Sequence, residues 1–215
     1  MTLRVQTKVC GLSTPETVEA ALESGAAFLG FMFFPASPRD VSPQLASRLA
    51  APARGRAKVV AVTVDPDDEL VDRLTKTLNP DLIQLHGSES PQRVREIAER
   101  SGAGAIKAIP VSEAADLDAA NAYAGAADYL MFDAKTPRHL GRPGGGGGSF
   151  DWDLLAGRRF ALPWFLAGGL DRWNVLDALT RSGARLADVS SGVERGPGLK
   201  DAALITAFLE AVRRA

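Results

Sequence analysis

A chain of 215 residues with 46% hydrophobic residues, 24% charged residues and a formal net charge of −1 is long enough to bury a core. It is too balanced in composition to be disordered or to show an electrostatic footprint for nucleic acid. No apolar run approaches the ~18 residues that span a bilayer, the polar opening Met1-Thr2-Leu3-Arg4 is no signal peptide, and one Cys with two His excludes a disulfide framework and makes poor material for a zinc site.

Along the chain, short apolar or β-branched runs alternate with helical patterns. Strands are predicted over residues 4–9, 27–33, 57–64, 82–86, 105–109, 128–133, 161–167 and 187–190, with starts spaced by 23 to 33 residues. That is the length of one strand–helix–loop unit, and several runs are almost continuously apolar, as strands covered on both faces are. Thr14-Pro15, Ser42-Pro43 and Ser90-Pro91 each place a capping side chain before a proline at the first helical turn. Further helices are predicted over 67–78, 172–182 and 200–214, a weak Ala-rich one over 113–122, and barely one turn over 152–155. Eight strands alternating with helices, with no composition break near the middle, read as α/β: a single (β/α)8 TIM barrel over residues 1–215. A doubly wound open sheet is the alternative.

In such a barrel, function belongs where strands end and βα loops begin. Those positions carry Cys10-Gly11, His86-Gly87, Asp133, Gly168-Gly169 and Ser190-Ser191-Gly192, small or reactive types in place of core fillers. Gly168, Gly169, Ser191 and Gly192 leave adjacent backbone N–H groups bare at consecutive strand ends, a cradle for an anion such as phosphate; each pair alone would serve equally as a tight turn. Gly144, Gly145 and Gly147 belong to a five-glycine run in the longest connection, which reads as a loop over a substrate phosphate or as a plain linker. Cys10 at the end of strand 1 is a candidate base. Lys8 shares its strand parity, so it either favours the thiolate or, the preferred reading, is held in an ion pair inside the barrel. Asp133, at the mouth of an apolar strand, suits a general acid, against a cap or a partner for Lys135 or Arg138. Arg39, in the loop after strand 2, is a candidate clamp for a carboxylate, against a solvated surface Arg. His86 is a candidate substrate contact, against hydrogen-bonded structure.

The ordered set Lys8-Val9-Cys10-Gly11-Leu12, Gly30-Phe31 with Phe34-Pro35-Ala36-Ser37-Pro38-Arg39, Ile83-Gln84-Leu85-His86-Gly87, Phe132-Asp133, Gly144-Gly145 through Phe150-Asp151-Trp152, Leu166-Ala167-Gly168-Gly169-Leu170, and Asp188-Val189-Ser190-Ser191-Gly192-Val193-Glu194 with Pro197-Gly198-Leu199-Lys200-Asp201 resembles the phosphoribosylanthranilate isomerases of tryptophan biosynthesis over essentially the whole chain. The resemblance implies an Amadori rearrangement with Cys10 as general base, Asp133 as general acid, Arg39 on the anthranilate end and the glycine loops on the phosphate. It implies no metal and no organic cofactor, a small phosphorylated substrate, no nucleic acid or membrane partner, a cytoplasmic monomer or homodimer. Gly146 and Gly148 depart from the Thr and polar residue often found in the family's strand 6–7 loop, so a side-chain hydroxyl on the phosphate is expected to be missing. The histidine-pathway isomerase, the nearest rival, uses an Asp where this chain has Cys10. A scaffold protein that only binds anions would have no use for both Cys10 and Asp133.

Overall fold

The computed structural model describes residues 5–135 and 148–215. Eight parallel strands, β1 (Gln6–Cys10), β2 (Phe28–Phe33), β3 (Lys58–Thr63), β4 (Leu82–Leu85), β5 (Gly104–Val111), β6 (Tyr129–Ala134), β7 (Trp164–Leu166) and β8 (Leu186–Val189), pair in chain order, and β8 closes onto β1. Helices α1 (Pro15–Glu23), α2 (Pro43–Ala50), α3 (Asp68–Thr77), α4 (Pro91–Ser101), α5 (Val175–Ser182) and α6 (Ala202–Val212) surround the sheet. The weak pattern after β5 is a 3-10 segment, Ala114–Tyr123, and the single turn after β6 is another, Trp152–Leu155. Ala-rich and Asp-rich stretches with no clear apolar stripe have little to hold a full α-helix against the barrel.

The helix starts follow their caps. The Ser42 hydroxyl accepts from Leu45 N–H at 3.2 Å and Ser90 from Arg93 N–H at 3.2 Å, each with proline opening the helix. Each cap satisfies one of the amides that a helix N-terminus leaves orphaned.

Strand alternation sorts the side chains into two cores. One face packs outward against the helices, with Val9, Leu29, Phe31, Ile83 and Phe132 all essentially fully buried. The other fills the barrel: Phe28, Val60, Val62, Leu82, Ile106, Ala108, Met131, Phe165 and Leu186, together with Cys10. Near the N-terminal ends of the strands Phe28, Tyr129 and Phe165 meet with ring centroids 5.1–6.1 Å apart, stoppering the barrel at that end. Polar side chains on the inward face are thereby collected toward the C-terminal ends.

The structure adds short elements to those predicted. Between β8 and α6 lie a short 3-10 turn, Ser191–Val193, and an antiparallel hairpin of β9 (Glu194–Gly196) and β10 (Leu199–Lys200). Lys200, expected to open the last helix, belongs to this hairpin, and α6 starts at Ala202 with Asp201 as its cap.

Candidate active site at the C-terminal mouth

Cys10 lies at the last position of β1, paired in register with Gly30 of β2. Lys8, two residues earlier, shares its inward face and donates to Asp188 Oδ1 of the adjoining β8 at 2.9 Å. Lys8 is 0% exposed and Asp188 8%, so the expected internal ion pair is present. Glycine at position 30 makes the room. A Cβ there would stand 3.1 Å from Lys8 Nζ, 3.2 Å from Cys10 Sγ and 3.1 Å from Cys10 Cα.

The electrostatics of the thiol run against a freely ionised group. Burial pushes the Cys10 thiol up, Lys8 and Lys200 pull it down, Asp188 pushes it up again, and the balance leaves it above the ordinary cysteine value. The pull expected from Lys8 exists and is outweighed, because a fully enclosed sulfur loses the water that would solvate its anion. For Lys8 the balance falls the other way: burial lowers it, but Asp188 and Cys10 outweigh burial and hold the ammonium above the ordinary lysine value.

Asp133 reaches the same mouth from β6, three strands from β1 around the closed sheet. Its Oδ1 accepts from Ala134 N–H at 2.9 Å, and its Oδ2 lies 3.1 Å from His86 Nε2. His86 is thus brought to the proposed acid, and its Nδ1 is 2.9 Å from Gln84 Nε2. Lys135 pairs with Asp116 at 3.5 Å and leaves Asp133 to His86; Arg138 lies outside the described residues.

Arg39 is buried, 5% exposed, and forks onto Glu194 at the start of the hairpin, with Nε to Oε1 at 2.7 Å and Nη2 to Oε2 at 2.8 Å. The solvated-surface reading of Arg39 is set aside by that burial; the fork leaves Nη1 outside it. Lys200 Nζ bonds the same carboxylate and donates to the Ser190 carbonyl at 2.9 Å, and Ser190 Oγ donates to the Cys10 carbonyl at 3.2 Å. Burial pushes the Glu194 carboxyl up, but Arg39 and Lys200 together outweigh it and hold it below the ordinary carboxylate range. Burial likewise pulls the Lys200 ammonium below the ordinary lysine value, with Glu194 opposing in part.

The loops after β7 and β8 touch. Gly168 has φ +87°, and a Cβ on it would sit 2.6 Å from Ala134 N; a Cβ on Gly192 would land on the Leu170 carbonyl oxygen. Among the described residues, the amides of Gly168, Gly169, Ser191 and Gly192 enter no loop, turn or cap hydrogen bond, so they are free donors for an anion. Gly144, Gly145, Gly146 and Gly147 lie outside the described residues.

This geometry belongs to a shared plan. The family model described as N-(5'-phosphoribosyl)anthranilate (PRA) isomerase matches residues 7–211. The chain belongs to the phosphoribosylanthranilate isomerase family. The N-(5'-phosphoribosyl)anthranilate isomerase of Caulobacter vibrioides is 64% identical over 209 residues, covering 97% of this chain and 95% of its own. The crystal structure of the phosphoribosyl anthranilate isomerase from Thermotoga maritima matches with a TM-score of 0.87 at 34% identity, over 98% of this chain and all of that one. A crystal structure of the enzyme in complex with reduced 1-(o-carboxyphenylamino)-1-deoxyribulose 5-phosphate matches with a TM-score of 0.84 at 32% identity, over 98% and 100%.

Within this isomerase-family barrel the fold brings Cys10, His86, Asp133 and the two small-residue loops to one mouth. Sequence reasoning gave no role to four groups that the structure adds: Gln84, Asp188, Glu194 and Lys200. Gln84 carried a readable signal, a polar residue at the same parity as His86 in an otherwise apolar strand. Glu194 and Lys200 carried none beyond their place in the motif, because a hairpin of three and two residues is too short for a period to show.

Proposed function

We propose that the C-terminal mouth isomerises N-(5'-phosphoribosyl)anthranilate to 1-(2-carboxyphenylamino)-1-deoxyribulose 5-phosphate with Cys10 as general base and Asp133 as general acid. The observation that carries this reading is the convergence of a buried thiol and a buried carboxyl, from β1 and β6, on the mouth of a barrel belonging to this family. Asp133, protonated, gives its proton to the ribose ring oxygen; the ring C–O bond breaks and the anthranilate nitrogen lone pair forms the Schiff base. Cys10 as thiolate then removes the proton at C2′, the C–H pair forms the enolamine, and protonation at C1′ with loss of the C2′-hydroxyl proton yields the ketone. A thiol that ionises late supplies little thiolate at neutral pH, but that thiolate is the stronger base for a weakly acidic C–H.

The amides of Gly168, Gly169, Ser191 and Gly192 hold the phosphate, whose remote binding energy keeps the sugar between acid and base. Gly144, Gly145 and Gly147 are assigned to the same phosphate. Arg39, fixed by Glu194, turns Nη1 to the anthranilate carboxylate, and His86 faces the substrate beside Asp133. The protein is assigned as a monomer or a homodimer. Among the described residues, no helix is long and apolar enough to cross a membrane. Assay of Cys10→Ser and Asp133→Asn tests the assignment: each is expected to lose ~10²–10⁴-fold in kcat, and near wild-type turnover in either removes that residue from its role.

A further inference from the structure

Gln84 is a buried polar group for which the acid–base reading has no use. It sits at an inward position of β4, 1% exposed, and its register partners Val62 and Ile106 offer it no polar atom. Its Nε2 is 2.9 Å from His86 Nδ1, while among the described residues its Oε1 has no hydrogen-bond partner. A buried amide left half satisfied costs free energy that an apolar residue of the same shape would avoid.

We infer that Gln84 is a positioning residue for the acid: its amide decides which nitrogen of His86 carries a proton, and so whether His86 gives a hydrogen bond to Asp133 or takes one. The inference rests on the reading of Asp133 as the acid. An amide nitrogen only donates, so with the Gln84 nitrogen toward the ring Nδ1 must accept, and a neutral imidazole then carries its proton on Nε2, which lies 3.1 Å from Asp133 Oδ2. In that arrangement His86 gives the hydrogen bond and Asp133 Oδ2 takes it, so Oδ2 carries no proton toward His86; in this inference it is the discharged form of the pair.

Recharging the pair requires a proton on Nδ1. A hydronium ion from solvent gives its proton to Nδ1 of the neutral imidazole, leaving water and giving the imidazolium. The Nε2–H bond then breaks, its electron pair stays on nitrogen, and Oδ2–H forms on Asp133. Nδ1–H remains and needs an acceptor. Turning the Gln84 amide over supplies it: Oε1 takes the Nδ1–H and the NH₂ moves to the place Oε1 left. The two ends of an amide are nearly equal in volume, so a packed interior admits this exchange without backbone movement. A side chain that both donates and accepts serves the discharged and charged forms in turn, which a residue with one capacity does not.

The test is ¹⁵N NMR of imidazole-labelled protein, with His86 assigned against His86→Asn, together with kcat and KM of Gln84→Glu and Gln84→Leu. In the free wild-type protein His86 is expected as the Nε2–H tautomer. Gln84→Glu keeps the volume and only accepts, so Nδ1 is expected to become protonated. Gln84→Leu is expected to lose about 10-fold or more in kcat, part of the acid's contribution, with KM within about 3-fold, and Gln84→Glu to retain more kcat than Leu. An unchanged His86 tautomer in Gln84→Glu, or an Nδ1–H tautomer in the free wild-type protein, overturns the inference even where the Leu variant does not fold. So does wild-type kcat in Gln84→Leu. Near wild-type turnover of Asp133→Asn is the separate outcome that removes the acid reading while leaving the tautomer result standing.

Discussion

Lys8→Met removes one half of the ion pair that lies inside the barrel between the neighbouring strands β1 and β8. Asp188, 8% exposed, is left with a carboxylate whose 2.9 Å partner is gone. Breaking a buried pair in this way typically costs 3–5 kcal/mol. The carboxylate can escape by taking up a proton, which from the reference carboxylate value costs about 4 kcal/mol at pH 7 and about 1.4 kcal/mol less for each unit of acidification. The expected loss at pH 7 is therefore about 4 kcal/mol, or about 8–16 °C in Tm for a domain of this size, shrinking to about 1–2 kcal/mol at pH 5. The sign follows from linkage: in the variant the folded state binds the proton more tightly than the unfolded state, so stability falls as pH rises. Lys8→Met/Asp188→Leu removes both charges and is expected to recover the fold. It is not expected to recover kcat/KM at neutral pH, because the downward pull of Lys8 on the thiol exceeds the upward push of Asp188. Urea unfolding at pH 7 and pH 5 reads the effect. A loss below about 1 kcal/mol at pH 7, or one that does not shrink at pH 5, refutes the reasoning from an unpaired buried charge.

Cys10 is the chain's one cysteine, so its alkylation by iodoacetamide reads a single group: the rate should keep rising with pH beyond the ordinary thiol range, and Lys200→Met should move the midpoint higher still. A profile that levels off below the ordinary cysteine value contradicts the dominance of burial. Glu194→Gln should raise KM by loosening Arg39, and should flatten part of the acid limb of stability. The wild-type contribution is present above the ordinary carboxylate value and is lost as pH falls through the lowered one, so unfolding curves from pH 3 to pH 7 distinguish the two proteins. Gly192→Ala places a Cβ on the Leu170 carbonyl oxygen and must part the loops after β7 and β8; KM and the inhibition constant for inorganic phosphate should both rise, and unchanged values would detach these loops from the phosphate.

Local signals fixed most of the architecture. Period and apolarity set the eight strands to within a few residues, and serine or threonine before proline set three helix starts, because capping and strand burial act over a handful of neighbouring residues. The chemistry-bearing strand ends were visible for the same reason: Cys10, His86, Asp133 and the Gly/Ser pairs stand where an apolar run stops. Where a period was weak, as over 113–122, the chain adopts a 3-10 segment in place of an α-helix.

Partnership and protonation were decided by the closed barrel. Lys8 meets Asp188 across 180 residues and Arg39 meets Glu194 across 155, contacts that no local period records because they depend on β8 closing onto β1 and on a hairpin folding back over the mouth. Parity put Lys8 and Cys10 on one face and left a lowered thiol open beside the preferred ion pair; in the folded barrel the withdrawal of water from the sulfur outweighs the pull of Lys8. The sequence by itself determined which reactive groups stand at the ends of the strands. Only the enclosed mouth decided which of them lie within hydrogen-bonding distance, because desolvation and long-range pairing are properties of the assembled interior.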